Sequence, residues 1–300
     1  MKPVDFELHR PETVTEAVAL LAAHGDDGKV LAGGQSLVPL LNFRLARPEH
    51  LIDLSRIASL STLRRTGDRL SMGAMVTHAQ AGRSSAVAVA APLMAAAIPH
   101  IAHQAIRARG TIGGSIAHAD PAAELPAVAR ALDAVLVVLS PAGVRRIEAE
   151  DFFVANLVTT LQPDELLVEV EIAPAGPATG GAFEEIGRRR GDFALVGAGA
   201  QVSLHDDGTI SGVRACLTGV ASTPHRAAEA EEVLVGQVPP PALLSEAASA
   251  TRDAVTPTAD LHATADYRRD VAGTLLERAV MKAAERAAGT GTRDEGRRAS

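Results

Sequence analysis

The chain has 300 residues, 47% of them apolar, and a formal charge of −7. That length buries a sizeable core in two or three subdomains, and the acidic balance excludes a general nucleic-acid binder, which needs a basic face toward phosphates. The single cysteine, Cys216, excludes a disulfide framework and any cysteine-ligated iron–sulfur cluster within the chain.

Met1 to Arg10 is charged and lacks the apolar core of a signal peptide. No apolar stretch reaches bilayer length without charge or proline, so the expectation is a cytoplasmic protein with no membrane span. Thr13-Val14-Thr15-Glu16 reads as a capping box opening a helix, with Val14, Ala17, Val18 and Leu21 on one face and Gly25 as its stop. Lys29 to Ala32 is a short strand running into Ala32-Gly33-Gly34-Gln35-Ser36. Leu37 to Phe43 follows as a helix or turn, and Leu51 to Leu54 as a strand. Arg69 to Ala74 reads as a strand, and Thr77-His78-Ala79-Gln80 opens a helix. Pro92 to Ile106 is alanine-rich and helical, kinked or divided at Pro99.

A second glycine loop, Thr111-Ile112-Gly113-Gly114-Ser115, precedes a helix over Leu125 to Leu132 and strands over Ala134 to Leu139 and Leu166 to Ile172. Pro174 to Gly181 is a linker by composition, and a domain boundary is expected there. Beyond it, strands over Ala198 to Leu204 and Ile210 to Thr218 are joined through the hairpin signal Asp206-Asp207-Gly208. Helices are expected over Pro224 to Val235, Leu243 to Val255 and Asp266 to Ala288, with Pro239-Pro240-Pro241 as punctuation and a frayed polar tail from Gly289.

The two glycine loops are the most informative features. Glycine lets a backbone approach a phosphate closely and adopt positive φ, and successive N–H groups form an anion nest. Each loop alone fits a tight turn as well as a phosphate cradle. Together, with serine following in both, they point to a dinucleotide. Neither is a G-x-G-x-x-G fingerprint or a Gly-Lys-Ser/Thr phosphate loop, so neither the usual NAD module nor an ATPase is indicated. Asp120 and Glu124 follow the second loop at helical spacing. They fit acceptors for ribityl or ribose hydroxyls, and equally acids complementing a helix dipole. His118 either touches the cofactor or packs. His100 and His103 stand at metal-compatible spacing but have no third ligand at a suggestive distance, so no metal site is assigned. Arg188-Arg189-Arg190 reads as a solvated face, a phosphate contact or a partner contact. Cys216 reads as core. In a chain with six Phe, one Tyr and no Trp, Phe193 is either core or the cover of a planar ring.

The residues resemble a known family almost end to end. The stretches "FELHRPETVTEA", "AGGQSLVPLLNFRLARPEHLIDL", "IRARGTIGGSIAHADPAAELP", "GDFALVGAGA", "LTGVASTPHRAAEAE" and "ADYRRDVAGTLLERAV" resemble the FAD-binding medium subunits of the molybdenum hydroxylases, the group of aerobic carbon monoxide dehydrogenase and bacterial xanthine dehydrogenase-like enzymes. The resemblance implies an α+β protein: a two-subdomain FAD-binding fold of the vanillyl-alcohol-oxidase/PCMH type followed by an α+β C-terminal domain. It assigns residues 1–56 and 57–175 to the two FAD-binding subdomains, 180–288 to the C-terminal domain and 289–300 to a flexible tail.

The resemblance further implies FAD as cofactor, held by Ala32, Gly33, Gly34, Gln35, Ser36 and Leu37 and by Thr111, Ile112, Gly113, Gly114 and Ser115, with His118, Asp120 and Glu124. Leu161 falls where the family packs an apolar residue near the adenine or flavin. Phe193 falls where carbon monoxide dehydrogenase-like members carry a tyrosine beside the isoalloxazine. Glu184 falls where some relatives have a lysine near the flavin, which implies different flavin tuning. The implied activity is electron transfer within a molybdenum-containing hydroxylase: from the two 2Fe–2S clusters of a small subunit, through this FAD, to quinone, NAD or O2. A large subunit carries the molybdenum cofactor, and the assembly is a heterotrimer or a dimer of heterotrimers. No residue is expected to act as a general acid or base. The alternatives are a standalone FAD-dependent oxidoreductase acting directly on a small molecule, and an assembly subunit that has lost FAD.

Overall fold

Thr13 opens the first helix as its sequence requires. Its Oγ1 accepts from Glu16 N at 3.2 Å, while Glu16 Oε2 reaches back to Glu12 N at 2.8 Å, one residue before the cap. The helix spans Val14–His24 and stops at Gly25, whose φ of +52 is left-handed. Ala17, Val18 and Leu21 form its buried face, against Ile52, Leu54 and Ile57.

The structure is a computed structural model that describes residues 2–238 and 241–298. It divides into two compact units, the first made of Met1–Arg83, His103–Ala119 and Asp133–Ile172, the second of Ser84–Ala102, Asp120–Leu132 and Ala173–Ser300. In the first unit, β1 (Glu7–His9), β2 (Gly28–Leu31) and β3 (His50–Asp53) form a parallel sheet in the order β1-β3-β2, with the Val14–His24 helix joining β1 to β2. An antiparallel sheet follows. Its strands are β4 (Leu63–Thr66), β5 (Arg69–Gly73), β6 (Val135–Ser140) and β7 (Gly143–Glu148). A ribbon of β8 (Phe153–Ala155) and β9 (Val158–Thr159) precedes the last strand, β10 (Leu166–Ile172), and the sheet order is β4-β5-β10-β6-β7. Strands β4 and β7 are largely exposed and charged, and their arginines pair with acids in or just before β10: Arg64 with Glu169 at 3.0 Å, Arg145 with Glu165 at 2.7 Å, Arg146 with Glu171.

In the second unit, β11 (Thr179–Ile186), β12 (Val196–Leu204), β13 (Ile210–Thr218) and β14 (His225–Arg226) form an antiparallel sheet in chain order. Strand β11 shows how period two divides its neighbours. Ala182 packs in a cluster with Leu276, Ala279, Val280 and Ala283 of the long C-terminal helix, and Glu184 meets Lys282 of that helix at 2.6 Å. The alternate residues face the Pro92–Ala97 helix and the turn after it: Glu185 pairs with His100 at 3.4 Å, and the His100 ring lies 5.4 Å from that of Phe183.

The expected linker is corrected here. Strand β11 already begins at Thr179, and Gly180 and Gly181 are strand residues. A Cβ at Gly180 would stand 2.5 Å from Ala287 N, and one at Gly181 would stand 2.6 Å from Pro92 O. These glycines allow helices to press on both faces of a strand rather than loosening the chain. The helix expected over Pro92 to Ile106 is three pieces. Pro92–Ala97 passes into a 3-10 turn over Ile98–His100, and Gln104–Arg107 starts afresh after Ala102, which has φ +41. The helix expected from Pro224 is Ala228–Leu234, because His225 and Arg226 pair with β13 instead. The last helix runs Ala265–Arg298, beyond the end expected for it at Ala288. Pro239 and Pro240 lie outside the described residues. Among the described residues no helix is long and apolar enough to cross a membrane.

Candidate functional site

The first glycine loop leaves β2 at Leu31 and enters the Leu37–Asn42 helix. Gly34 has φ +73, which L side chains adopt at a cost. Gln35 Nε2 donates to Gly33 O at 2.8 Å and braces the turn from within. The backbone N–H groups of Gly34, Gln35 and Ser36 have no acceptor among the described residues. Three consecutive free donors around a left-handed glycine make an anion nest.

The second loop is built for another purpose. Ile112 N donates to Val76 O, Gly113 N to Ala74 O, Gly114 N to Thr111 Oγ1 at 3.1 Å and Ser115 N to Thr111 O. Four of its five backbone donors are therefore used within the protein. Its glycines serve close approach. A Cβ at Gly113 would stand 2.7 Å from Ala74 Cα, and one at Gly114 would stand 2.7 Å from Thr111 Oγ1 and 3.3 Å from Ala32 Cβ. The first loop is pressed onto the same wall, where a Cβ at Gly33 would stand 2.8 Å from Arg109 C and 2.9 Å from Gly110 Cα. The structure thus brings loops 32–36 and 109–115 into backbone contact. The first supplies free N–H donors, and the second the wall against which it rests.

Sequence reasoning missed what lies beneath the second loop. His78 is 5% exposed. Its N donates to Gly110 O at 2.9 Å and its Nε2 lies 3.0 Å from Thr111 O. The carbonyl can only accept, so Nε2 carries the proton. Nδ1 is buried without a partner among the described residues. Burial pushes the His78 pKa down to about 4, against the hydrogen bond to Thr111 and with the help of the Arg107 charge. His78 therefore clasps two successive loop carbonyls, its backbone N–H on Gly110 O and its neutral imidazole on Thr111 O. The only sequence sign was its position just inside the helix opened by Thr77.

His118 is half-buried at the end of the Ile112–His118 helix, which packs on β9. Leu161 follows β9, its N donating to Thr159 Oγ1 at 3.3 Å. The other anticipated residues belong to the second unit. Asp120 Oδ1 accepts from Ala122 N at 2.9 Å, so its carboxylate closes a turn. Glu124 is the first residue of the Glu124–Ala131 helix and only 7% exposed. Burial raises its pKa to about 7, reinforced by the charges of Glu185 and Asp120 and opposed by its own backbone hydrogen bond and by His100. His100 in turn is raised by its hydrogen bond to Glu185 against the effect of burial. Glu184, expected near the flavin, is held by Lys282 on the opposite side of β11 from Glu185 and His100. Phe193 is 62% exposed in the β11–β12 connection, in a cleft it shares with Pro121, Ala122, Arg188 and Arg268. Cys216 is fully buried in β13, its thiol pushed up to about 12 by burial, and is core.

Comparison with known proteins agrees with this architecture. The family described as "FAD binding domain in molybdopterin dehydrogenase" matches residues 4–175, and "CO dehydrogenase flavoprotein C-terminal domain" matches residues 181–283. The chain is 41% identical over 287 residues to the 6-hydroxypseudooxynicotine dehydrogenase complex subunit alpha of Paenarthrobacter nicotinovorans, covering 96% of this chain and 97% of that one. It is 39% identical to the carbon monoxide dehydrogenase medium chain of Hydrogenophaga pseudoflava, covering 96% and 100%. Among solved structures it superposes on quinoline 2-oxidoreductase from Pseudomonas putida 86 with a TM-score of 0.90 at 39% identity, covering 96% of this chain and 99% of that one. Both domains of the resemblance are present in order, and the chain belongs to the FAD-binding medium subunits of the molybdenum hydroxylases.

Proposed function

We propose that this chain is the FAD-carrying electron-transfer subunit of a cytoplasmic molybdenum hydroxylase, partnered by a large molybdenum-cofactor subunit and a small subunit with two 2Fe–2S clusters. The observation that carries the reading is the nest at Gly34, Gln35 and Ser36. Its three free N–H donors are backed by a loop in which the N–H groups of Ile112 to Ser115 are all in use. Such a cradle fits a pyrophosphate, which needs several donors at fixed positions and little side-chain bulk. Residues 32–37 and 111–115 hold the FAD there. His118, Leu161, Asp120, Glu124 and Phe193 are assigned to the same cofactor by the family resemblance. When bound, FAD supplies the exchange between one- and two-electron chemistry that links iron–sulfur clusters to quinone, NAD or O2. The chain's own residues position the cofactor, and none is required to move a proton.

The test is co-purification from the native host, with a visible spectrum and metal quantification on one sample. Flavin absorbance together with molybdenum, iron and two further bands is the expected result. Flavin on a lone band with neither metal overturns the relay in favour of a standalone oxidoreductase.

Phe193 gives a second, local test. Its exposure means that truncation to alanine changes stability by no more than about 0.5 kcal/mol. If it covers a ring, losing an aromatic contact worth about 1 kcal/mol weakens FAD binding roughly fivefold and shifts the flavin absorbance bands. Spectrum and affinity matching the parent protein's would remove Phe193 from the site.

A further inference from the structure

Away from the glycine loops, the first unit gathers three histidines from three elements. His9 ends β1, His24 ends the Val14–His24 helix, and His50 begins β3. His9 Nε2 and His50 Nδ1 face each other at 3.1 Å. The His24 ring stacks on that of His50 with centroids 3.6 Å apart and stands 5.0 Å from that of His9. One ring nitrogen from each residue lies within 4.8 Å of the other two. The Glu7 carboxylate stands beside two of the three, with Oε1 3.9 Å from His9 Nε2 and Oε2 3.7 Å from His50 Nδ1.

The backbone, rather than chance packing, sets this convergence. Glu7 and His9 are two apart in β1 and so share a face, and Glu7 is the register partner of His50 across the parallel pair. His50 is also the partner of Gly28 in β2, and a Cβ at Gly28 would stand 3.2 Å from His24 Cβ. The four side chains therefore issue from positions fixed by sheet register and by the helix stop at Gly25.

We propose that His9, His24 and His50, with Glu7 as fourth ligand, form a site for a divalent transition-metal ion of the zinc class. Three imidazoles and one carboxylate are a donor set that Zn2+ accepts in tetrahedral geometry. Nitrogens bound about 2.0 Å from one tetrahedral ion stand roughly 3.3 Å apart. The His9–His50 pair is already close to that spacing, and His24 reaches it by turning about its side-chain torsions. Bare, the pair must share one proton between two facing nitrogens. A metal ion takes both lone pairs and the Glu7 charge at once. With four protein ligands the site is closed and structural. It clamps the sheet whose strand β2 runs directly into the phosphate-binding loop.

The test uses the full-length, FAD-containing chain carrying an affinity tag without histidine. The protein is stripped with EDTA and titrated with ZnCl2 against a chromophoric chelator, and zinc is counted per FAD. One equivalent per chain is expected. It should be lost in His9→Gln, His24→Gln and His50→Gln at unchanged FAD content, and weakened in Glu7→Gln. Substitution with Co2+ gives the visible bands of a tetrahedral ion in the parent protein only. Absence of a stoichiometric equivalent in the parent protein overturns the proposal, whatever the variants do. So does an equivalent that persists in the histidine variants.

Discussion

Gly33→Ala is expected to strip the chain of most of its FAD. The added methyl would fall on the Arg109 carbonyl, 2.8 Å from its carbon and 2.9 Å from Gly110 Cα. All these atoms are backbone, so no rotamer change relieves the clash. The wall itself is pinned: Gly110 N donates to Ile106 O at 2.7 Å, and Gly110 O accepts from His78 N at 2.9 Å. The loops must move apart, and the free donors of Gly34, Gln35 and Ser36 move with the first loop. Overpacking of this kind costs about 1–3 kcal/mol. Taken from binding, that weakens FAD affinity by roughly 5- to 150-fold. Two controls separate the causes. Gly34→Ala meets only side chains but must hold φ +73, a cost of about 1–2 kcal/mol. Gly208→Ala has φ +85 with nothing within 4 Å, and in the β12–β13 hairpin it should lower stability without changing FAD content. The ratio of 450 to 280 nm absorbance and a fluorescence titration of FAD give the ranking. Full FAD in Gly33→Ala would show that the loop contact does not position the donors.

The same glycines show where sequence reading succeeds and where it fails. Capping chemistry is local, so the helix opened by Thr13 and the hairpin at Asp206-Asp207-Gly208 are legible from a few residues. Strand β10 is legible from its apolar run. A glycine needed for close approach, however, looks like a glycine needed for a turn. Gly180 and Gly181 read as a linker because the helices that press on them arrive from residues far away in the chain. The left-handed break at Ala102 carries no glycine to announce it. Short exposed strands such as β4 and β7 are polar and leave no periodicity. At the site, both loops were legible as a matched pair, but their division of labour was not. It depends on Ala74 and Val76 accepting from the second loop, and on a histidine buried beneath it. The assignment of Glu124 came from family resemblance. Its burial among Glu185, Asp120 and His100 follows from packing that no spacing rule contains.

That burial yields the other large expected effect, a pair of opposed pH dependences in the FAD-free chain. Glu124 has a folded pKa of about 7, above its ordinary 4.5, mainly because burial disfavours its charge. Its contribution to stability is therefore fully present below pH 4.5 and lost as pH rises through 7, amounting to about 3 kcal/mol. His78 is displaced the other way, from 6.5 to about 4, again chiefly by burial. Its contribution is present above pH 6.5 and lost as pH falls through 4, by a similar amount of about 3 kcal/mol. Between pH 4.5 and 6.5 the two changes oppose each other, so the parent protein responds weakly to pH while each variant exposes one arm. Glu124→Gln keeps the shape and removes the charge. It should be more stable than the parent by about 3 kcal/mol at pH 8 and by only about 1 kcal/mol at pH 5. His78→Gln keeps a donor for the Thr111 carbonyl and cannot be protonated. Relative to the parent it should gain about 2 kcal/mol between pH 8 and pH 5. Urea denaturation at pH 5, 6, 7 and 8, followed by circular dichroism, measures both. Curves parallel to the parent's across that range would mean that Glu124 titrates as an ordinary surface acid, or that His78 gains a partner for Nδ1. FAD titration of Glu124→Gln then isolates the cofactor's part. A carboxylate that accepts cofactor hydroxyls loses affinity when made an amide, whereas an acid present only to load the helix does not.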